Sequence, residues 1–267
     1  MKKTGILLTA LVLLLCALSG AAADGTPGLF AASCPEDPQA SPDLFREVGS
    51  VVTLGTYPIS GDGTDRTPIQ WLVLDYDEAN HRALLISVYG LDAKRYNETR
   101  ADVTWEDCSL RAWLNSNFLR KAFTPEEQSA ILLTDVDNSA AQGYAGFGAS
   151  GGNNTQDRIF LLSCAEAYRY FGATYDDTEN MHSRLTPTAY AVRAGARTNS
   201  TLRTANGNIT GWWWLRSPGR NQNRAAQIRE DGSVSSTMVD STMEETRETI
   251  ALGCVRPAMW VDVTASL

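Results

Sequence analysis

The chain has 267 residues, with 23 basic and 31 acidic side chains and a formal net charge of −8. Excess negative charge repels nucleic acid phosphates and anionic lipid head groups, so we expect neither as a partner. The length suffices for one large domain with its own hydrophobic core.

The first 23 residues have the pattern of a cleavable signal peptide. Lys2 and Lys3 precede an apolar stretch over residues 6–15, and the small residues Ala21 to Ala23 follow it. This order is the one that signal peptidase reads, and the apolar stretch is shorter than the roughly 20 residues that span a bilayer. We therefore expect residues 1–23 to be removed, with no membrane span afterwards, and a secreted or cell-envelope location.

Four cysteines remain beyond that segment: Cys34, Cys108, Cys164 and Cys254. An even number in an exported chain is compatible with disulfides, but four cysteines allow three full pairings, and the sequence does not choose among them. Free buried thiols are the other interpretation. No C-x-x-C pair occurs, which argues against a zinc ribbon or a thioredoxin-like site.

The N-terminal half is expected to change from a flexible lead-in to a hairpin. Residues 24–47 are rich in Ala, Gly, Pro and Ser and show no helical or alternating period. We predict one domain over residues 48–267, beginning with strands at residues 51–58, 69–74 and 83–88. The polar turn at residues 77–81 joins the last two strands as a hairpin.

Three helices are predicted in the middle of the chain. The first runs from Leu110 to about Phe118 with an apolar stripe, and starts either at a Thr104–Asp107 capping box or at Ser109. The second covers residues 126–131 after an N-cap at Thr124. The third ends near residue 171 and opens with a second capping box. The residues of that stripe and that box are Leu110, Trp113, Leu114 and Phe118, and Ser163 with Glu166.

The remaining segments are loops and strands. Residues 137–156 and 176–211 are predicted to be mostly loop, with a short helix at 189–194 in the second. Strands are predicted at residues 159–162, 212–216, 225–229, 233–238 and 254–263, and Asp231-Gly232 forms a hairpin turn. Strands at both ends and helices between them predict an α+β domain whose terminal strands meet in one sheet.

Several collinear motifs point to a known family. They are Trp71-Leu72-Val73-Leu74, Trp105 through Asn115, Trp213-Trp214-Leu215-Arg216-Ser217-Pro218-Gly219 and Val255-Arg256-Pro257-Ala258-Met259-Trp260. The chain resembles the bacterial domain of unknown function 6273 over roughly residues 48–263. That resemblance implies a C-type-lectin-like fold: a small twisted antiparallel sheet, two or more flanking helices and long loops.

The Trp-Arg strand is expected to serve packing first. Alternation sends Trp213 and Leu215 to one face and Trp212, Trp214 and Arg216 to the other, and at least one face belongs to the core. Arg216 and, further on, Arg256 are expected to be half-buried arginines that bridge strands to carbonyls or carboxylates.

Catalytic machinery is not recognisable in the sequence. His81 and His182 lie in polar turns or loops, and Ser217 lacks the glycines of a nucleophile elbow. Paired carboxylates occur in any chain with this many acids and decide nothing. No calcium-loop pattern is present. We predict no catalytic residues, no metal and no other cofactor.

The candidate ligand-binding residues lie on and around the polar loop after the Trp-Arg strand. Amides and guanidinium groups suit hydroxyl-rich or carboxylate ligands, although an ordinary solvated hairpin loop has the same composition. The sequence predicts an exported, non-catalytic domain that binds an extracellular glycan, peptide or surface protein. An extracellular enzyme acting on a glycan or peptide and a structural envelope component are the alternatives. The residues predicted to bind are Trp212, Arg220, Asn221, Asn223, Arg224 and Asp240.

Overall fold

A computed structural model describes residues 42–241 and 252–265 of the chain. They form a mixed α/β structure of curled, mostly antiparallel sheets with few helices. The predicted signal peptide at residues 1–23 lies outside the described residues. Pro42–Arg46 form a 3-10 helix whose Phe45 is buried, so the flexible lead-in predicted up to residue 47 was wrong for this stretch. No helix in the described ranges is long and apolar enough to cross a membrane.

The strands and helices follow one another in this order along the chain. The strands are β1 (Val51–Tyr57), β2 (Thr67–Asp77), β3 (Arg82–Ser87), β4 (Asp92–Lys94), β5 (Thr134–Val136), β6 (Thr155–Asp157), β7 (Thr198–Arg203), β8 (Ile209–Gly211), β9 (Trp213–Pro218), β10 (Arg224–Ile228), β11 (Val234–Met238), β12 (Gly253–Val255) and β13 (Ala258–Asp262). The helices are α1 (Ser109–Trp113), α2 (Leu119–Ala122), α3 (Pro125–Ala130), α4 (Cys164–Phe171) and α5 (Ala189–Arg193), with a π-helical turn (Leu114–Phe118) between α1 and α2 and a 3-10 turn at Ala140–Gln142.

The first sheet has the antiparallel order β1-β2-β3-β13. The predicted hairpin is confirmed, with Leu72 opposite Ile86. The terminal strands do meet in one sheet, because β13 pairs along β3 with Trp260 opposite Leu84. The apolar runs at residues 71–74 of β2 and 83–86 of β3 are buried, as their continuous apolar composition predicted.

The second sheet has the order β11-β10-β9-β12-β4, and the β9–β12 pair is its parallel member. The single strand predicted over residues 254–263 is in fact two strands, β12 in this sheet and β13 in the other. Arg256 and Pro257 form the corner between them. The strand predicted at residues 159–162 was also wrong, since that segment makes only an isolated bridge between Phe160 and Ala258.

The first predicted helix exists but begins and continues differently. Its N-cap is Cys108, whose sulfur accepts a hydrogen bond from the Arg111 amide at 3.4 Å, so neither start proposed from the sequence is used. Leu110, Leu114 and Phe118 are buried as predicted. Trp113 is only partly buried, because the buried side chains follow an i, i+4, i+8 row that leaves Trp113 at its edge.

The other helix predictions are confirmed by their caps. Thr124 with Glu127 and Ser163 with Glu166 form complete capping boxes, which satisfy amides that a helix leaves without partners. Gly172 ends α4 with a φ of 65°, a conformation that glycine adopts without steric cost. The short helix α5 lies where it was predicted.

The three cysteines in the described part of the chain, Cys108, Cys164 and Cys254, are free and buried. Burial raises the pKa of their thiols, to about 12 for Cys108, about 11 for Cys164 and about 12 for Cys254. The three full pairings considered from the sequence are therefore ruled out. Cys34 lies outside the described residues.

These thiols should resist alkylation until the domain unfolds, because the thiolate is the reactive form and both burial and the raised pKa suppress it. In a chain carrying Cys16→Ser and Cys34→Ser, we expect no titration by Ellman's reagent at pH 8 over minutes and three equivalents in denaturant. Fast labelling of Cys108, Cys164 or Cys254 in the native chain, located by mass spectrometry, would contradict this burial.

Candidate functional site

The polar loop between β9 and β10 is held in a defined turn. The Gly219 amide donates to the Arg224 carbonyl at 2.8 Å, and the Arg224 amide donates to the Asn221 carbonyl at 2.9 Å. Gly219 is required here, because a β-carbon would lie 2.7 Å from the Cβ atoms of Arg224 and Ser236. Arg220 and Asn221 are exposed at the tip of this turn.

Three of the six predicted binding residues lie elsewhere. Trp212 is buried with its ring 4.7 Å from that of Trp214, so it offers no platform to a ligand. Asp240 is only 8% exposed. Asn223 is half-buried and its carbonyl accepts from the Val239 amide at 3.0 Å. These three side chains do not line the cavity beside the loop.

That cavity, which we call the arginine pocket, has a volume of about 410 Å³. It brings together three of the residues predicted from the sequence, and adds residues from β11, from the end of β10 and from the segment after α4. The lining residues are Tyr175, Arg220, Asn221, Arg224, Arg229, Ser235 and Ser236.

Arg220 is positioned by an aromatic side chain. Its guanidinium group donates to the Tyr175 hydroxyl and lies 5.5 Å from the centre of that ring. Tyr175 in turn stacks on Tyr144, with ring centres 5.6 Å apart and planes 21° apart. The Ser236 hydroxyl accepts from the Arg220 amide at 3.4 Å. These contacts hold the guanidinium in one place, which lowers the entropy lost on binding.

The pocket is strongly positive on an acidic protein. It carries three guanidinium groups and, among the described residues, no carboxylate lines it. A guanidinium donates two parallel hydrogen bonds to a carboxylate or a phosphate, and the hydroxyls and the Asn221 amide add neutral donors and acceptors. The arrangement can bind a ligand that carries both an acid group and hydroxyls.

The serine and histidines considered from the sequence as catalytic candidates do not line this pocket. No group of three His, Cys, Asp or Glu side chains comes together there or elsewhere in the described residues. Ser217 is buried, donates to the Gln142 carbonyl at 2.7 Å and accepts from the Cys164 amide at 2.9 Å, which uses its hydroxyl structurally. His81 is exposed in a turn with a φ of 49°.

Comparison with models of protein families identifies the family of this chain. Residues 80–263 match the domain of unknown function DUF6273. The chain belongs to the DUF6273 family. The match begins in the turn before β3, whereas β1 and β2 precede it and pair into the same sheet as β3. No curated protein and no solved structure matches.

The Trp-Arg motif of this DUF6273 chain has a structural role, as predicted. Arg216 is 3% exposed and forms a two-pronged ion pair with Glu166, with one nitrogen–oxygen distance of 3.0 Å. It also donates to the Leu161 carbonyl at 2.9 Å and to the Asp137 carbonyl at 3.0 Å. It therefore joins β9 to the start of α4.

The other motif arginine is held by aromatic rings. Arg256 lies 4.8 Å from the ring centres of Phe171 and Trp213 and donates to the Ser87 carbonyl at 3.0 Å. Burial lowers the pKa of its guanidinium to about 9. Cation–π contacts offset part of the desolvation cost, so Arg256 fixes the corner between β12 and β13.

The first long motif of the DUF6273 chain, Trp105 through Asn115, converges on one acid. Asp157 is fully buried and accepts from the Trp105 indole at 2.9 Å, the Arg111 guanidinium at 2.6 Å and the Thr155 hydroxyl at 2.7 Å. The Asn115 amide lies 3.3 Å from the same carboxylate. This cluster fastens β6 to α1.

The pocket residues missed by the sequence interpretation are Tyr175, Arg229, Ser235 and Ser236. Arg229 and Ser235 flank the predicted Asp231-Gly232 turn, so the hairpin register was a usable signal for them. Tyr175 follows α4 in a loop, and nothing in its sequence surroundings marks it.

Proposed function

We propose that this DUF6273 chain is an exported, non-catalytic binding domain of C-type-lectin-like fold, and that its arginine pocket binds carboxylate-bearing glycans. The observation that supports this most directly is the convergence of Arg220, Arg224 and Arg229 on one cavity without a lining carboxylate among the described residues. The chain as a whole has a net charge of −8, so this concentration of positive charge is local.

A uronic acid residue fits this chemistry better than a neutral sugar. Each charge-assisted hydrogen bond contributes about 1.5 to 3 kcal/mol, and two of them correspond to about a hundredfold to ten-thousandfold in affinity. Ser235, Ser236 and Asn221 supply partners for ring hydroxyls.

Two sequence features support the rest of the proposal. The signal peptide pattern at residues 1–23 favours export, where acidic polysaccharides are found. The order of a Trp-Arg strand, a polar loop and a closing Val-Arg-Pro strand is the feature of C-type-lectin-like folds that the family resemblance implies. In that arrangement recognition lies on loops carried by a rigid sheet.

Removing two guanidinium groups should weaken binding without unfolding the domain. For Arg220→Ala/Arg229→Ala we expect at least a tenfold loss of affinity for oligogalacturonate, measured by calorimetry at fixed ionic strength. The free energy of unfolding should stay within about 1 kcal/mol, as is usual for exposed positions. The matched control is Arg193→Ala, an exposed arginine on α5 that does not line the pocket.

The ligand side of the experiment uses methyl esterification, which removes the negative charge and keeps the sugar. Wild-type protein should bind the esterified oligosaccharide at least tenfold more weakly. Equal affinity for both forms, or an unchanged affinity in Arg220→Ala/Arg229→Ala, contradicts the proposal. Tighter binding of polyglutamate than of oligogalacturonate would assign the pocket to acidic peptides instead.

A further inference from the structure

The chain uses lysine very sparingly. Its lysines are Lys2, Lys3, Lys94 and Lys121. The first two belong to the predicted signal peptide. The other two are 27 residues apart in sequence, yet both line one cavity, and none of the residues predicted to bind a ligand lines it. All other basic side chains after residue 3 are arginines, so beyond that residue both lysines of the chain lie in this one cavity.

This cavity, which we call the lysine cleft, has a volume of about 480 Å³ and lies where β1, β4, α5 and the helical stretch from α1 to α2 meet. Asp92 and Lys94 are two residues apart on β4 and so point to the same side of the strand. The stretch from the end of α1 through α2 contributes one helical face. The lining residues are Tyr57, Asp92, Lys94, Trp113, Asn117, Arg120, Lys121 and Tyr190.

The helical face owes its arrangement to the π-helical turn. The Leu119 amide donates to the Leu114 carbonyl, five residues back, instead of four. That widened turn lies between Trp113 and Arg120, and it sets the direction in which the α2 side chains point relative to α1. Single π-helical turns inside helices occur frequently at functional sites.

Aromatic rings hold both ammonium groups in position. The Lys94 nitrogen lies 4.4 Å from the ring centre of Trp113. The Lys121 nitrogen lies 4.6 Å from the ring centre of Tyr57 and 5.2 Å from that of Tyr190, and it donates to the Tyr190 hydroxyl at 3.4 Å. A ligand therefore meets cations whose side-chain entropy is already reduced.

A buried acid forms one wall of the cleft. Asp92 is 5% exposed and accepts from the Tyr57 hydroxyl at 2.7 Å and from the Ala93 amide at 2.7 Å. Burial, and then the neighbouring Asp92 carboxylate, raise the pKa of the Tyr57 phenol, so the phenol stays protonated and donates. Each Asp92 oxygen keeps a second lone pair for a ligand hydroxyl.

The cleft has an excess of positive charge. Lys94, Arg120 and Lys121 face one carboxylate, and within the described part of the chain none of the three cations forms a salt bridge. At physiological ionic strength the screening length is about 8 Å, so these local charges outweigh the acidic remainder of the surface.

From these observations we propose that the lysine cleft binds a phosphomonoester of a polyol or sugar. The phosphate is placed against Lys94, Lys121 and Arg120, and ligand hydroxyls against Asp92 and Asn117. This site is separate from the arginine pocket and does not depend on the function proposed there.

Phosphate suits this cleft better than carboxylate for two reasons. An ammonium group is a compact point charge without the planar fork that matches a carboxylate, and a doubly charged phosphate gains more from several such charges than a carboxylate does. The cavity is also within the range of about 300 to 1,000 Å³ that holds small organic ligands, so it has room for the alcohol portion of the ester.

The test is calorimetric titration of the full chain at fixed ionic strength with glucose 6-phosphate, inorganic phosphate and glucose. Wild-type protein should bind glucose 6-phosphate and not glucose. In Lys94→Gln/Lys121→Gln, which keeps side-chain length and removes both charges, affinity should fall at least tenfold. Equal affinity for inorganic phosphate would identify free phosphate as the ligand and leave the phosphate subsite in place.

Two controls keep this result interpretable. Arg193→Gln removes an exposed charge on α5 outside the cleft and should bind like wild type. Amine-reactive labelling of Lys94 and Lys121, followed by mass spectrometry, should slow at least threefold when glucose 6-phosphate is present. No binding of either phosphate compound, or unchanged affinity in Lys94→Gln/Lys121→Gln, overturns the proposal.

Discussion

Replacing Asp157 with alanine is expected to lower the free energy of unfolding by about 3 to 5 kcal/mol, as breaking a buried ion pair does. The carboxylate is fully buried, and three side chains donate to it within 2.9 Å. Removing it leaves the Trp105 indole N–H without its acceptor and the Arg111 guanidinium without its counter-charge. Unsatisfied buried donors cost more than the hydrogen bonds themselves contribute.

Urea unfolding followed by tryptophan fluorescence measures this loss. Asp157→Asn keeps the shape and one acceptor oxygen, so it should lose less than Asp157→Ala. Asp135→Ala is the matched control, because Asp135 is an exposed acid on β5, the partner strand of β6, and should change stability by less than about 1 kcal/mol. If Asp157→Ala lowered the free energy of unfolding by less than about 1 kcal/mol, the cluster around Asp157 would not be what holds β6 to α1.

The sequence predicted local structure correctly where residues that are close together in the chain determine it. The capping boxes at Thr124 and Ser163 place α3 and α4, because a side chain three residues away supplies the missing partner of a helix amide. The β2–β3 hairpin follows from two apolar runs joined by a polar turn. Both depend on contacts within a few residues.

The predictions failed where residues that are far apart in the sequence determine which strands pair. The run at 254–263 has continuous strand composition, but its two halves pair with β9 and β4 in one sheet and with β3 in the other. The apolar segment at residues 159–162 is buried, but it forms only one isolated β-bridge and no strand. Composition indicates burial, whereas pairing depends on strands that lie 41 residues or more away in the sequence.

The candidate site shows the same difference between features set by nearby residues and features set by distant ones. Arg220, Asn221 and Arg224 share one tight loop, so their common position was predictable. Trp212 and Asp240 were assigned to the binding face by their nearness in sequence, whereas both are buried. Trp113 was assigned to the core by helical spacing, and the structure places it in the lysine cleft under Lys94. No local pattern joins β4 to α2.

The Asp157 cluster explains why one motif was recognisable before its role was. Trp105, Arg111 and Asn115 are spaced so that their polar groups converge, yet their shared acceptor lies more than 40 residues further on. The three donors form a motif that is recognisable in the sequence. That Asp157 is their shared acceptor becomes evident only from the structure, in which β6 lies against α1.

Replacing Arg216 with methionine should cost about 3 kcal/mol, the lower end of the range for a broken buried pair. The loss removes the two-pronged contact to Glu166 and leaves the Leu161 and Asp137 carbonyls without this donor. It stays below the loss at Asp157 because the Glu166 side chain is 27% exposed and keeps its bond to the Ser163 amide at 2.8 Å.

A double-mutant cycle separates the ion pair from the rest of this loss. Glu166→Gln keeps a capping acceptor, so the coupling between Arg216→Met and Glu166→Gln measures the charge pair, and about 1 to 3 kcal/mol is expected for residues in direct contact. Arg169→Met is the control, because its pair with Asp75 is 62% and 30% exposed and should contribute less than about 1 kcal/mol. Denaturant unfolding at neutral pH gives all four values of the cycle. A coupling near zero would mean that the carbonyl contacts alone hold β9 to α4, and a stability loss in Arg216→Met no larger than in Arg169→Met would refute the structural role of Arg216.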